Sequence, residues 1–307
     1  MSQAIIETNN LSVNYGQYRG IHELNMTVQK GEVYGFLGPN GAGKTTTQRV
    51  LLDIIRPTTG RAIVFGLDCQ KDGVQIRRRI GYIPGELKLY QQLRADEYFD
   101  MITRVGGTTV DPAYRRELCE RLDLDPRRTM HTYSRGNKQK VGLIAAFMRR
   151  PDLLILDEPT TGLDPLIQQH VLDLVREARA EGRTVFLSSH VLPEVQAVCD
   201  RAGIIRAGQI VATERVDQLI HSRLQRLNIR FERLPPFGAL DLPGVTEVSR
   251  VGDQVSLEIR ENLNQLLAQA VAFGVLEIET AQVSLEEVFM AYYDKNGEGI
   301  YDQPVAA

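Results

Sequence analysis

The segment Gly38-Pro39-Asn40-Gly41-Ala42-Gly43-Lys44-Thr45 constrains this chain more than any other. It fits the pattern GxxxxGK[ST] and lies between a run that reads as a strand, Glu32 to Leu37, and one that reads as a helix. In the helix Val50, Leu51, Ile54 and Ile55 recur at helical spacing, and Pro57 and Gly60 end it. Glycines in such a loop let backbone N–H groups turn inward onto phosphate oxygens, and the helix N-terminus adds partial positive charge. In that arrangement Lys44 reaches the β- and γ-phosphates and Thr45 offers its hydroxyl to Mg²⁺. The alternative is a glycine-rich turn that caps a helix and holds no ligand. The strand–loop–helix context favours the phosphate cradle.

A second polar feature comes at the end of an apolar run. Leu153-Leu154-Ile155-Leu156 is unbroken and short, the form of a fully buried parallel strand, and Asp157-Glu158 closes it. Ligands of open α/β sheets bind at the carboxyl ends of such strands. Asp157 is therefore placed to hold Mg²⁺, directly or through water. Glu158 is placed to polarise the water that attacks a γ-phosphate. Read alone, the two acids also fit a strand end that meets solvent.

The rest of the chain supplies the frame. Strands are expected at Ile5 to Thr8, Leu24 to Val28 and Arg61 to Phe65. The stretch from about 86 to 150 is helical in pattern, most clearly at Ala95 to Val105 and Ala113 to Leu122. A helix (Pro165 to Ala180), a strand (Thr184 to Ser188), a helix (Pro193 to Val198) and a strand (Ala202 to Arg206) follow. Strands alternating with helices predict a mostly parallel sheet covered on both faces. After about residue 222 the texture changes to short alternating strands, at Leu227 to Phe231, Val245 to Val251 and Val255 to Ile259. A helix (Asn262 to Ala272), a strand (Leu276 to Thr280) and a last helix (Leu285 to Tyr293) complete a small α+β domain, before a loose tail.

Composition removes several classes of function. A net charge of −3 offers no broad attraction for nucleic acid or anionic lipid. The basic run Arg77-Arg78-Arg79 reads as a solvated helix face. The three cysteines, Cys69, Cys119 and Cys199, lie far apart and form no CxxC pair, so reduced thiols are expected. No secretory pattern opens the chain and no window nears 18 uninterrupted apolar residues. Any membrane role is expected to come through a partner.

Taken in order, the phosphate loop, the segment Tyr133-Ser134-Arg135-Gly136-Asn137, the acidic strand, Thr161-Gly162-Leu163-Asp164 and a lone His190 after a strand form a recognisable set. The chain resembles the nucleotide-binding subunit of an ATP-binding cassette (ABC) transporter over about residues 4–222. The C-terminal domain, with Ser284-Leu285-Glu286-Glu287-Val288-Phe289, resembles a branch paired with ABC-2-type permeases, mostly exporters. The resemblance implies an α/β P-loop NTPase fold over residues 1–222 with a helical subdomain at about 86–150. A small α+β accessory domain would occupy 223–295, with a flexible tail at 296–307. It implies ATP and Mg²⁺ as ligands, and ATP hydrolysis clamped between two copies or between this chain and a paralogous subunit. The partner would be an integral-membrane permease, which holds the chain at the cytoplasmic face. No nucleic acid is expected to take part.

Residue by residue, Tyr15 matches the aromatic that stacks on adenine, the alternative being a core or edge tyrosine. Gly38 through Thr46 match the phosphate loop. Ser134 and Gly136 match the signature that binds the γ-phosphate of ATP held by the opposite subunit. Val141, Ile144, Ala145 and Met148 form a helical stripe behind them, so Ser134 also suits a simple helix cap. Asp164 matches the loop that crosses the dimer interface, and Asp164-Pro165 is also an N-cap followed by Pro at the first helical position. His190 matches the histidine that contacts the γ-phosphate and helps hold Glu158 and the water.

The chain departs from the family at two places. Tyr133, Arg135 and Asn137 replace the usual residues of an LSGGQ signature, while the serine and second glycine stay. In Gly81-Tyr82-Ile83-Pro84-Gly85-Glu86, Gly85 stands where the family places a glutamine that touches Mg²⁺. Either Glu86 substitutes or water completes the metal shell. Two rival readings remain at this stage, a soluble cassette ATPase acting on ribosomes or DNA and an ATP-dependent switch that drives no transport. One phosphate loop and the absence of a long heptad run speak against the first. Glu158 and His190 speak against the second.

Overall fold

A computed structural model of the chain describes residues 3–16, 18–221, 225–259 and 262–281. The expected helix Leu285 to Tyr293, the Ser284–Phe289 segment and the tail lie outside the described residues. The chain divides into two compact units, Met1–Glu214 and Arg215–Ala307.

The first unit opens with β1 (Ala4–Tyr15), β2 (Tyr18–Gln29), β3 (Val33–Leu37), α1 (Lys44–Leu51), β4 (Thr59–Val64) and β5 (Leu67–Asp68). It continues with α2 (Gly73–Arg78), β6 (Ile80–Ile83), α3 (Ala95–Gly106), α4 (Pro112–Arg121), α5 (Arg135–Phe147) and β7 (Leu153–Asp157). It ends with α6 (Pro165–Ala180), β8 (Thr184–Ser189), α7 (Leu192–Val198), β9 (Arg201–Arg206) and β10 (Gln209–Arg215).

The sheet that carries the site has six strands in the order β10-β9-β3-β8-β7-β6. Strands β9, β3, β8, β7 and β6 pair in parallel. Every residue of β3, β7 and β8 is buried, which is what a strand covered on both faces requires and why their sequences run apolar without alternation. A second sheet of four strands, β2-β1-β4-β5, is antiparallel, and its long first hairpin does not belong to the alternating pattern that marks the rest. Helix α1 lies against both sheets. Its Val50 and Leu51 share one buried cluster with Leu24, Val28, Ala62 and Val64 on one side and Phe36, Ile155 and Phe186 on the other.

Helices α3 and α4 pack on α5, with Phe99, Leu118, Leu122, Val141 and Ile144 buried. Arg77, Arg78 and Arg79 are exposed, as the solvated reading expects. The thiols of Cys69, Cys119 and Cys199 are free and buried.

The second unit holds α8 (Val216–His221), β11 (Gln225–Phe231), β12 (Val245–Val251), β13 (Gln254–Ile259), α9 (Leu263–Val271) and β14 (Val275–Ala281). Its strands form an antiparallel sheet in the order β12-β13-β11-β14. Leu227, Ile229, Phe231, Val255, Leu257 and Ile259 face Leu266 and Ala270 of α9 in one core. Alternation along β13 puts every second residue into that core.

Candidate functional site

Parallel pairing sets the carboxyl ends of three strands side by side. Leu37 of β3 pairs with Ser189 of β8, and Asp157 of β7 pairs with Ser188 of β8. The loop from Gly38 to Gly43 leaves the middle of this edge and enters α1. Gly43, the N-cap of α1, has φ 111°, and a β-carbon there would lie 2.8 Å from Gly20 O. Only glycine satisfies both conditions.

Lys44 is 6 % exposed, and its ammonium folds back into the loop. It donates to Gly38 O at 2.6 Å and Pro39 O at 3.2 Å, and stands 3.7 Å from Glu158 Oε1. Burial lowers its pKa, and the charges of Glu158 and Asp157 work against that shift. Thr45 Oγ1 donates to Asp157 Oδ2 at 2.7 Å, and Ser188 Oγ donates to Asp157 Oδ1 at 2.5 Å. The Asp157 carboxylate, 1 % exposed, is thus fixed from β8 and from the first turn of α1.

Glu158 adopts φ 50°, a left-handed conformation for a non-glycine residue and a recurrent mark of strained functional sites. Its backbone N–H donates to Ser188 O at 3.1 Å, which sets the turn. The carboxylate lies 3.0 Å from His190 Nδ1 through Oε1, and Oε2 accepts from Thr161 Oγ1 at 3.5 Å. Tyr15 is half exposed, with its hydroxyl 3.4 Å from Thr46 Oγ1. Tyr15, the loop, Asp157, Glu158 and His190 therefore form one connected site. Pro39, Asn40 and Gly41 are exposed at its lip, and Ala42 is buried behind it.

A solved ATP-binding subunit of an ABC transporter is 29 % identical and matches with a TM-score of 0.65, over 70 % of this chain and 91 % of its own. Residues 21–161 match the sequence model of the ABC transporter family. The linearmycin resistance ATP-binding protein LnrL of Bacillus subtilis is 31 % identical over 93 % of this chain and 97 % of its own length. The chain belongs to the ATP-binding subunits of ABC transporters. The daunorubicin resistance ATP-binding protein DrrA3 of Streptomyces coeruleorubidus is 33 % identical, over 94 % of this chain and 96 % of its length. Both alignments run through the second unit as well as the cassette.

In this ABC subunit a second group gathers around Gly162. Ser134 caps α5, accepting from Asn137 N–H at 3.2 Å. A β-carbon at Gly136 would lie 2.9 Å from Gly162 O, so the signature helix start packs directly on the 161–164 loop. Asp164 Oδ1 accepts from Ile167 N–H at 3.0 Å and Pro165 opens α6, which fulfils the capping reading. The loop returns to Glu158, because Thr161 N–H donates to Glu158 O at 3.2 Å.

Sequence reasoning missed several supports of the site. Ser188 holds Asp157, and buried Gln139 of α5 donates to Pro159 O at 3.0 Å, next to Glu158. Glu194 of α7, buried, accepts from Ser189 Oγ at 3.2 Å and steadies the turn that carries His190. A serine at a strand end or a glutamine in a helix carries no signal of its own. Only the strand register brings each to its partner.

Proposed function

We propose that this ABC subunit binds MgATP between its own phosphate loop and the Ser134–Gly136 helix start of a second copy or a paralogous subunit. Two such sites close a dimer, and closure drives a separate membrane permease from the cytoplasmic face. The single observation that carries the reading is Glu158, held between Lys44 at 3.7 Å and His190 at 3.0 Å at the mouth of the loop.

Phosphate oxygens compete for the Lys44 ammonium, which then leaves the carbonyls of Gly38 and Pro39 and releases Glu158. The freed carboxylate takes a proton from the attacking water, and His190 holds it in place. Tyr15 offers its ring to adenine. The N-terminus of α5 in the second copy supplies N–H groups and the Ser134 hydroxyl to the γ-phosphate. Asp164 reaches across the same junction while it caps α6.

The Thr45 hydroxyl and the Asp157 carboxylate fit Mg²⁺, a hard cation bound through a carboxylate and substrate phosphates rather than a dedicated protein cage. Among the described residues no cluster of three or more His, Cys, Asp or Glu forms such a cage. Mg²⁺ held there supplies positive charge against the triphosphate. No helix among the described residues is long and apolar enough to cross a membrane, which supports a separate permease. The names of LnrL and DrrA3 report resistance, and the full-length alignments support an exporting partner here. The chemistry belongs to the first unit, and the second serves as an accessory domain.

Steady-state ATP hydrolysis tests the assignment. Glu158→Gln is expected to bind MgATP and lose about 10²- to 10⁴-fold in turnover, the contribution of a positioned general base. Turnover within twofold of the unaltered chain removes Glu158 from that role.

A further inference from the structure

The loop between β6 and α3 passes the metal-binding carboxylate at Gly85, and what it presents there is main chain. The Gly85 N–H points at Asp157 Oδ2 over 3.3 Å. A β-carbon at this position would stand 3.0 Å from Oδ2 and 3.4 Å from Asp157 Cγ. Gly85 does not occupy the left-handed region, so its backbone conformation would admit other residues. The Asp157 carboxylate stands so close that a side chain here would have to push it back by a few tenths of an ångström. Glu86, the next residue, is exposed and takes no part in this hydrogen-bonded set.

Asp157 has little capacity left. Oδ1 accepts from Ser188 at 2.5 Å, and Oδ2 accepts from Thr45 at 2.7 Å as well as from Gly85. A carboxylate oxygen offers two lone pairs, and both on Oδ2 already face donors. To turn Oδ2 toward a cation or its bound water, Asp157 must give up one donor. The longer and weaker partner, Gly85 N–H, goes first, while Thr45 stays because its hydroxyl belongs to the same metal pair.

We propose that Gly85 latches this loop to Asp157 by its main chain, so that the loop is held in the metal-free site and let go when Asp157 turns to Mg²⁺. The inference rests on the reading of Asp157 as a metal-binding residue in a nucleotide site. Gly85 is a positioning residue. Where a side chain would ligate the metal and be drawn in, this chain has a backbone donor that the metal displaces. The residues on either side, Pro84 and Glu86, move with it.

Amide exchange read by mass spectrometry on a peptide spanning 80–88 tests the latch in the full chain, with ADP in the presence or absence of Mg²⁺. Exchange should rise about fivefold with Mg²⁺, the loss of one hydrogen bond. Gly85→Ala, whose methyl group presses on the carboxylate and opens the latch, should exchange fast in both conditions. Equal exchange with and without Mg²⁺ in the unaltered chain overturns the latch, as does a Gly85→Ala chain that still exchanges slowly without Mg²⁺ and faster with it. ADP that protects residues 38–46 while 80–88 ignores the metal defeats the latch alone. ADP that protects nothing defeats the nucleotide reading and takes the latch with it.

Discussion

The two units of this chain both rest on a β-sheet, and they use it in opposite ways. In the cassette, β3, β7 and β8 are buried at every position, so their faces have no room for chemistry. Polar groups collect where the strands stop: Lys44, Asp157, Glu158, Ser188 and His190 all sit at or just beyond carboxyl ends. In the second unit, β13 alternates, one face meets α9, and the other displays polar residues along its whole length. Register sets Arg226 opposite Glu258 and Arg230 opposite Glu277, with contacts of 2.6 and 2.7 Å, and Ser256 Oγ donates to Asn228 Oδ1 at 2.7 Å. A sheet buried on both faces concentrates reactivity at its edge. A sheet buried on one face spreads polarity over a surface and pairs its charges with each other.

The contrast is most easily broken in the core of the cassette. Phe186 is fully buried, 5.9 Å from Tyr34 in a stacked pair and 5.3 Å from Phe36. Phe186→Ala is expected to cost about 3–5 kcal/mol in urea denaturation, through lost packing and a residual cavity. A loss below about 1 kcal/mol would mean that the two-faced sheet is not the tightly packed element described here.

Alkaline pH sharpens the contrast next. Burial pushes the Cys69 thiol and the Tyr34 and Tyr82 hydroxyls up to about 12, and the Cys199 thiol higher still. The ordinary values are 9.0 for cysteine and 10.0 for tyrosine, so the unfolded chain ionises first. Stability is fully present below those values and is lost as pH rises toward about 12. Residues 225–281 contain no cysteine or tyrosine. Urea titrations followed by circular dichroism at pH 8 and near pH 11 should therefore show the cassette weakening while the C-terminal sheet holds.

How far all this was legible depended on whether the cause was local. Helix α6 was read from Pro165 to Ala180 because Asp164 and Pro165 declare its start, and β12 was read from Val245 to Val251 because it alternates between turn residues. Strand β6 went unread: it is four residues long and contains Gly81, whose missing side chain leaves room for the Ala146 carbonyl and signals a turn to any local reading. The edge strand β10 was missed as well, because none of its residues is buried and its alternation runs only between exposed and half-buried positions. In the site, the phosphate loop and the acidic strand end were visible as patterns. The contacts that join them were not. Thr45 and Asp157 are 112 residues apart, and His190 and Glu158 are 32 apart. Nothing local announces that Ser188 will hold Asp157 or that Gly85 will lie against it.

The smallest expected effect lies on the polar face of the second unit. Arg230 and Glu277 are about half exposed, so their pair is screened by water. Arg230→Ala should cost less than about 1 kcal/mol and leave ATP turnover unchanged. A turnover loss of tenfold would give that face a part in the chemistry and erase the division drawn between the units.

The central claim is that one copy's loop and another copy's signature helix grip the same triphosphate. Sedimentation velocity of Glu158→Gln with and without MgATP tests it most directly. A monomer that becomes a dimer only with MgATP, and that stays monomeric when Ser134→Arg is added although nucleotide still binds, is the result expected. A chain saturated with MgATP that sediments as a monomer, or a dimer indifferent to Ser134→Arg, contradicts the account.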